Sequence, residues 1–231
     1  MQGGQGGEGM SQAPGFFQSS IGRKIVMALT GVILVGYVLG HLAGNLQVYL
    51  PNGREALNQY GAFLHHFLHG GGIWIARSIL LAAVVLHIWS ATSLTLDSRR
   101  ARRAGYREQQ WKESTYASRT MRWGGVIILL FIVYHLLHFT TGTAHPDFVP
   151  GDVYHNFVTG FRNVPASIVY IFAMIALALH LRHGVWSMFQ TLGVSHPRYI
   201  ALAHAAAWVV ALVVFVGNVS FPIAVLAGIV K

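Results

Sequence analysis

IGRKIVMALTGVILVGYVLGHLAGNLQVYL, residues 21–50, decides the fold. After Arg23 and Lys24 it runs from Ile25 to Leu50 without a single charged side chain. Wound as an α-helix that rises about 1.5 Å per residue, such a run is longer than the ~30 Å hydrocarbon core of a bilayer. Backbone N–H and C=O groups in lipid must be satisfied within the segment, and a helix does this. Four further runs have the same character: about Ile73 to Leu96, Met121 to Thr141, Pro165 to Leu192 and Tyr199 to Ile229. The expected fold class is therefore all-α and integral to the membrane, with five transmembrane helices forming one bundle over residues 19–231. Residues 1–18, MQGGQGGEGMSQAPGFFQ, lack the basic start and apolar centre of a signal peptide and read as a flexible tail.

Composition agrees with the bilayer. The chain is 54% hydrophobic and 10% charged, where a soluble domain carries about 25% charged residues. It has no cysteine, which excludes a disulfide framework, iron–sulfur ligation by this chain and a thiolate haem ligand. The formal charge of +9 does not indicate nucleic acid, because the basic residues gather in loops between apolar runs. That distribution is a topology signal.

Arg99, Arg100, Arg102, Arg103, Arg107, Lys112, Arg119 and Arg122 crowd the connection between the second and third helices. Arg23 and Lys24 precede the first helix, and Arg182 and Arg198 flank the connection between the fourth and fifth. The opposite side holds only Arg54, Arg77, Arg162 and Lys231. Positive residues stay in the cytoplasm, so the N-terminus is expected inside and the C-terminus outside. Between the first two helices, PNGREALNQYGAFLHHFLHGGG (51–72) places Leu57, Tyr60, Leu64 and Phe67 at helical spacing, as in a short interfacial helix. All seven acidic residues lie in the tail, the loops or helix ends. A carboxylate proton relay or cation site needs acids at membrane depth, so a transporter of that kind is disfavoured.

Histidine is different. His41, His87, His135, His138, His180 and His183 sit inside the apolar runs. His41 follows Lys24 by seventeen residues, about 26 Å of helix, and His135 and His138 follow Arg122 by thirteen and sixteen, about 20 and 24 Å. The second and fourth helices run the other way. His87 stands ten residues before Asp97, about 15 Å from the inner edge, and His180 twelve before Leu192, about 18 Å. The first and third helices thus offer imidazoles in the outer half, the second and fourth in the inner half. One neutral imidazole from each of two helices at one level can bind a haem iron from both faces. Two such levels suit electron transfer across the membrane. Gly36, Gly40 and Gly44 form a stripe beside His41 that permits either close helix packing or a flat porphyrin. Arg182, beside His180, is placed to meet haem propionates or to anchor the helix end.

YVLGHLAGNLQVYL around His41, MRWGGVIILLFIVYHLLHF around His135, HLRHGVWSMFQTLG from His180 and the opening SSIGRKIVMALTG resemble the succinate dehydrogenase/fumarate reductase cytochrome b subunit. The likeness is to its single-chain, five-helix, dihaem type, the cytochrome b558 family, and spans the chain after the tail. It implies two haem b groups, the outer held by His41 and His135 and the inner by His87 and His180, the same pairing that depth suggests. His138 competes with His135, and its spacing from Arg122 favours His135; His183, one turn past His180, is a secondary haem contact or a packing residue. The resemblance further implies a flavoprotein subunit and an iron–sulfur subunit on the cytoplasmic side of a bacterial-type membrane. The basic loop is placed to help dock them, and electrons pass to a membrane quinone, menaquinone in this type. Ser19, Ser20 and Arg23 resemble polar residues at a quinone pocket beside the iron–sulfur partner. Glu55, Tyr60, His65 and His66 are the corresponding candidates near the outer haem. Some fumarate reductases of this type carry a glutamate near the fourth-helix ligand, whereas Ala178, Leu179 and Leu181 surround His180 here. The competing readings are the cytochrome b subunit of a formate dehydrogenase or hydrogenase, and a haem-free histidine-based transporter.

Overall fold

The structure is a computed structural model that describes residues 15–100, 116–193 and 196–231, with backbone only for 116–120. Most of the tail and, in the basic connection, Arg102, Arg103, Arg107 and Lys112 lie outside the described residues.

Seven α-helices are described: α1 Ser20–Asn45, α2 Gly53–His66, α3 Gly71–Arg100, α4 Tyr116–Phe139, α5 Val153–Arg162, α6 Val164–Thr191 and α7 Pro197–Leu226. Five of them, α1, α3, α4, α6 and α7, are long and apolar enough to cross a membrane, and they are the five expected. The boundaries move in two instructive places. The first helix stops at Asn45 instead of Leu50, because residues 46–49 tighten into a 3-10 turn ahead of Pro51. The second is longer than expected, from Gly71 to Arg100, since a helix continues past the apolar run while its polar end meets water.

Each end has a local cause. Ser19 caps α1 by accepting a hydrogen bond from the Gly22 N–H at 2.9 Å. Asp152 caps α5 through the His155 N–H at 2.9 Å. Asn163 ends α5 and caps α6 through the Ala166 N–H at 3.0 Å, with Pro165 in the first turn where its missing donor costs nothing. Between α2 and α3 the chain reverses through Leu68 and His69, both with positive φ, and Gly70.

The helices pack α1 on α3, α4 on α6 and α6 on α7, with α1 also meeting α6 and α7. At one end, α2 and α5 close over the bundle and share a core of Leu57, Tyr154, Phe157, Phe161 and Phe221 with the ends of α1, α6 and α7. Elsewhere large apolar side chains such as Trp123, Phe172 and Leu130 face outward, the pattern of a surface solvated by lipid. α5 was absent from the sequence expectation. Its Tyr154, Phe157, Val158 and Phe161 recur at helical spacing and are all buried.

Candidate functional site

Two pairs of imidazoles face each other across gaps between helices that do not pack. Among the described residues α3 makes no extensive contact with α6, and α1 none with α4. Yet the rings of His87 (α3) and His180 (α6) have centroids 6.3 Å apart, and those of His41 (α1) and His135 (α4) lie 5.7 Å apart with their planes 89° apart. Two imidazoles sharing one metal between them stand roughly 6 Å apart by centroid, twice a metal–nitrogen bond of about 2.0 Å plus two ring radii.

The neighbours of these rings give the separation of the two levels. A Cβ on Gly31 of α1 would lie 3.7 Å from the His87 ring, and one on Gly125 of α4 would lie 3.9 Å from the His180 ring. Gly31 precedes His41 by ten residues and Gly125 precedes His135 by ten. Both helices therefore put the tiers about 15 Å apart along the bundle.

Hydrogen bonds hold some of the rings. His87 Nδ1 lies 3.1 Å from the Thr30 hydroxyl. His135 Nδ1 and His138 Nδ1 each lie 3.1 Å from the Tyr170 hydroxyl. His180 Nδ1 is buried without a hydrogen-bond partner, as is His138 Nε2. Buried ring nitrogens rarely go unpaired, and one that does marks a place where a group outside the chain belongs or strain is stored. Among the described residues no cluster of three or more histidines and acids forms. Facing pairs without further protein ligands suit an iron whose other four ligands come from a macrocycle.

His138 turns elsewhere. It is 0% exposed, stacks on Tyr134 at 5.4 Å and lies 4.9 Å from His145. His145 is itself fully engaged: its Nδ1 accepts from the Asp147 N–H at 3.0 Å and its Nε2–H donates to the Asn156 carbonyl at 2.8 Å. His183 is half-buried. Arg182 points to α7, where its guanidinium lies 4.2 Å from the Trp208 ring centre, away from the α3 side that His180 addresses.

A family model for the succinate dehydrogenase/fumarate reductase transmembrane subunit matches residues 97–219, just over half of the chain. The chain belongs to that family. As a succinate dehydrogenase/fumarate reductase transmembrane subunit, it is a multi-pass membrane anchor of the cytochrome b kind, part of an electron-transport enzyme complex. The matched region contains His135, His138, His180, Arg182 and His183, while His41 and His87 precede it. No curated protein and no solved structure matches the chain.

The residues with a quinone resemblance in this family member do not converge on one pocket. Ser19 is occupied as a helix cap, donating to Phe16 O at 2.9 Å, and Ser20 is exposed. Arg23 is tied by an ion pair to Asp97 and by hydrogen bonds to Gln18 O at 3.2 Å and Ser19 O at 3.3 Å. Tyr60 packs its ring on Gly44, one turn from His41. His65 and His66 are exposed on α2, and Glu55 accepts from Gln59 at 2.8 Å. Sequence reasoning missed Thr30, Tyr170 and His145. Each acts on a histidine from another helix or loop, a relationship that no spacing along the chain displays.

Proposed function

We propose that this subunit binds two haem b groups, one between His87 and His180 and one between His41 and His135, and passes electrons between an iron–sulfur subunit and a membrane quinone. The single observation that carries the reading is the pair of facing imidazole couples at two depths in a bundle with no buried acid among the described residues. The residues present fit the group: imidazole nitrogens on opposing helices, with the rings facing each other between helices that make no extensive contact. A haem held by two imidazoles supplies one-electron transfer and has no open position for oxygen or substrate chemistry.

The chain's own groups do the rest. Thr30 and Tyr170 hold His87 and His135 through Nδ1, leaving Nε2 of each ring for the iron. The distribution of Lys and Arg favours an N-terminus in the cytoplasm of a bacterial-type membrane. That places His87 and His180 nearer the flavoprotein and iron–sulfur partners, and His41 and His135 nearer the outer face. Menaquinone is the quinone expected for the dihaem type the sequence resembles. Tyr60, lying against Gly44 beside the outer pair, is its nearest candidate contact.

A visible difference spectrum of the purified complex tests this. Sharp reduced bands of bis-imidazole haem are expected, together with flavin and iron–sulfur clusters that co-purify. A colourless preparation from cells supplied with haem precursors and expressing the partner subunits overturns the proposal and favours a haem-free histidine pathway. Haem bands with formate dehydrogenase or hydrogenase subunits in place of the flavoprotein overturn the succinate assignment.

A further inference from the structure

We infer that Thr30 is a positioning residue for His87: its hydroxyl fixes which ring nitrogen carries the proton and thereby sets the donor strength of that imidazole. This rests on the dihaem reading and adds to it a residue that neither the family match nor the histidine pattern points to.

The argument is one of counting protons. A threonine hydroxyl has a single hydrogen and two lone pairs. Thr30 Oγ1 lies 2.7 Å from the Val26 carbonyl and 3.1 Å from the Met27 carbonyl, both of which can only accept. Its hydrogen has its shortest partner in the Val26 carbonyl, one turn back on its own helix. With that hydrogen given to Val26, the hydroxyl acts as the acceptor toward His87 Nδ1 at 3.1 Å. Nδ1 then carries the proton, an arrangement that the Met27 backbone beside the ring also favours, and Nε2 keeps its lone pair, the form an imidazole needs to bind a metal. Thr30 is buried at 6% exposure, so no water competes for the role.

The geometry is supported from the backbone side. Gly31, next to Thr30, has room for the His87 ring edge at 3.7 Å from where a Cβ would stand. α1 packs on α3 along this stretch, so hydroxyl and ring are carried by two helices in direct contact. The partner imidazole has no such support, since His180 Nδ1 is buried and unpartnered. Within the inner pair one ring is anchored by a hydroxyl and the other is held by packing alone.

A hydrogen bond donated from Nδ1 to an oxygen raises the basicity of the ligating nitrogen. A more basic ligand stabilises the ferric state over the ferrous. Removing the acceptor should shift the reduction potential of the inner haem to more positive values and leave the outer haem where it was. Second-shell partners of metal-bound histidines are commonly worth about 10–100-fold in metal affinity, so haem should also be lost faster.

The test is a redox titration of the assembled complex carrying Thr30→Val, which keeps the branched shape but cannot accept a hydrogen bond, beside Thr30→Ser, which can. The inner haem is identified beforehand as the one missing from His180→Ala. Thr30→Val is expected to move that potential positive, to perturb one low-spin ferric resonance and to release haem to an acceptor protein about tenfold faster. Thr30→Ser is expected to stay at the wild-type values. An unmoved inner potential in Thr30→Val, a shift of both haems together, or a Thr30→Ser variant displaced as far as Thr30→Val overturns the assignment. A wild-type complex without haem would instead overturn the dihaem reading itself, a different and separately visible failure.

Discussion

His87 and His180 meet with ring centroids 6.3 Å apart, although the helices that bear them do not pack on each other. Side chains that touch across a gap between unpacked helices are unusual in a bundle held by close van der Waals contact, where small residues bring backbones together. The outer pair repeats the arrangement, and the consequences can be tested residue by residue.

His138 is the sequence rival of His135, and its ring faces Tyr134, Tyr170 and His145 instead of His41. His138→Ala should keep the haem content of the wild type while lowering stability by about 2–4 kcal/mol, the cost of a cavity at a fully buried site. Haem assay and thermal unfolding of the same preparation separate the two effects. Loss of one haem with unchanged stability would exchange the roles of the two histidines.

Gly44 is the one member of the glycine stripe in tight contact, for a Cβ there would stand 2.5 Å from the Tyr60 ring. Gly44→Ala should push α2 from α1 and cost about 1–3 kcal/mol. At Gly36 and Gly40 a Cβ meets nothing within 4 Å. Gly36→Ala should leave the thermal midpoint unchanged or slightly raised, since alanine favours the helix by about 1 kcal/mol. Within the chain the stripe packs tightly only at Gly44, the end that meets α2.

Asp152 joins α5 to α2. The His155 N–H, the Asn58 amide and the Arg54 guanidinium, in that order of effect, hold its carboxyl below the ordinary carboxylate range. A depressed folded-state pKa contributes stability that is complete above the unfolded value of about 3.9 and is lost as pH falls through the folded value. The end of the bundle closed by α2 and α5 should therefore loosen on acidification below about pH 4. Asp152→Asn keeps an oxygen for the cap and removes the titration. Melting curves recorded between about pH 3 and pH 7 should show a weaker acid dependence in the variant than in the wild type.

The five spanning helices were legible in the sequence because lipid imposes a length and a composition that few soluble segments meet. The interfacial helix was legible for the same kind of reason, although only Leu57 of its four apolar positions is fully buried, while Leu64 and Phe67 remain exposed. Depth along each helix, read from charged edges, brought His41 to the level of His135 and His87 to that of His180. Rotation about the helix axis was not legible. It turns Arg182 toward Trp208 and His138 toward His145, and it brings Thr30 and Tyr170 to histidines on other helices. The ten-residue α5 escaped notice because its apolar face is too short to stand out from a polar connection.

The most direct measurement is haem per chain in the complex for the wild type, for His41→Ala, His87→Ala, His135→Ala and His180→Ala, and for the double variants. Two haems are expected in the wild type and one in each single variant. His41→Ala with His135→Ala should still retain one, and His41→Ala with His87→Ala should retain none. Single variants that keep both haems, or a His41→Ala/His135→Ala protein that holds none while still folded, would contradict two stacked imidazole pairs.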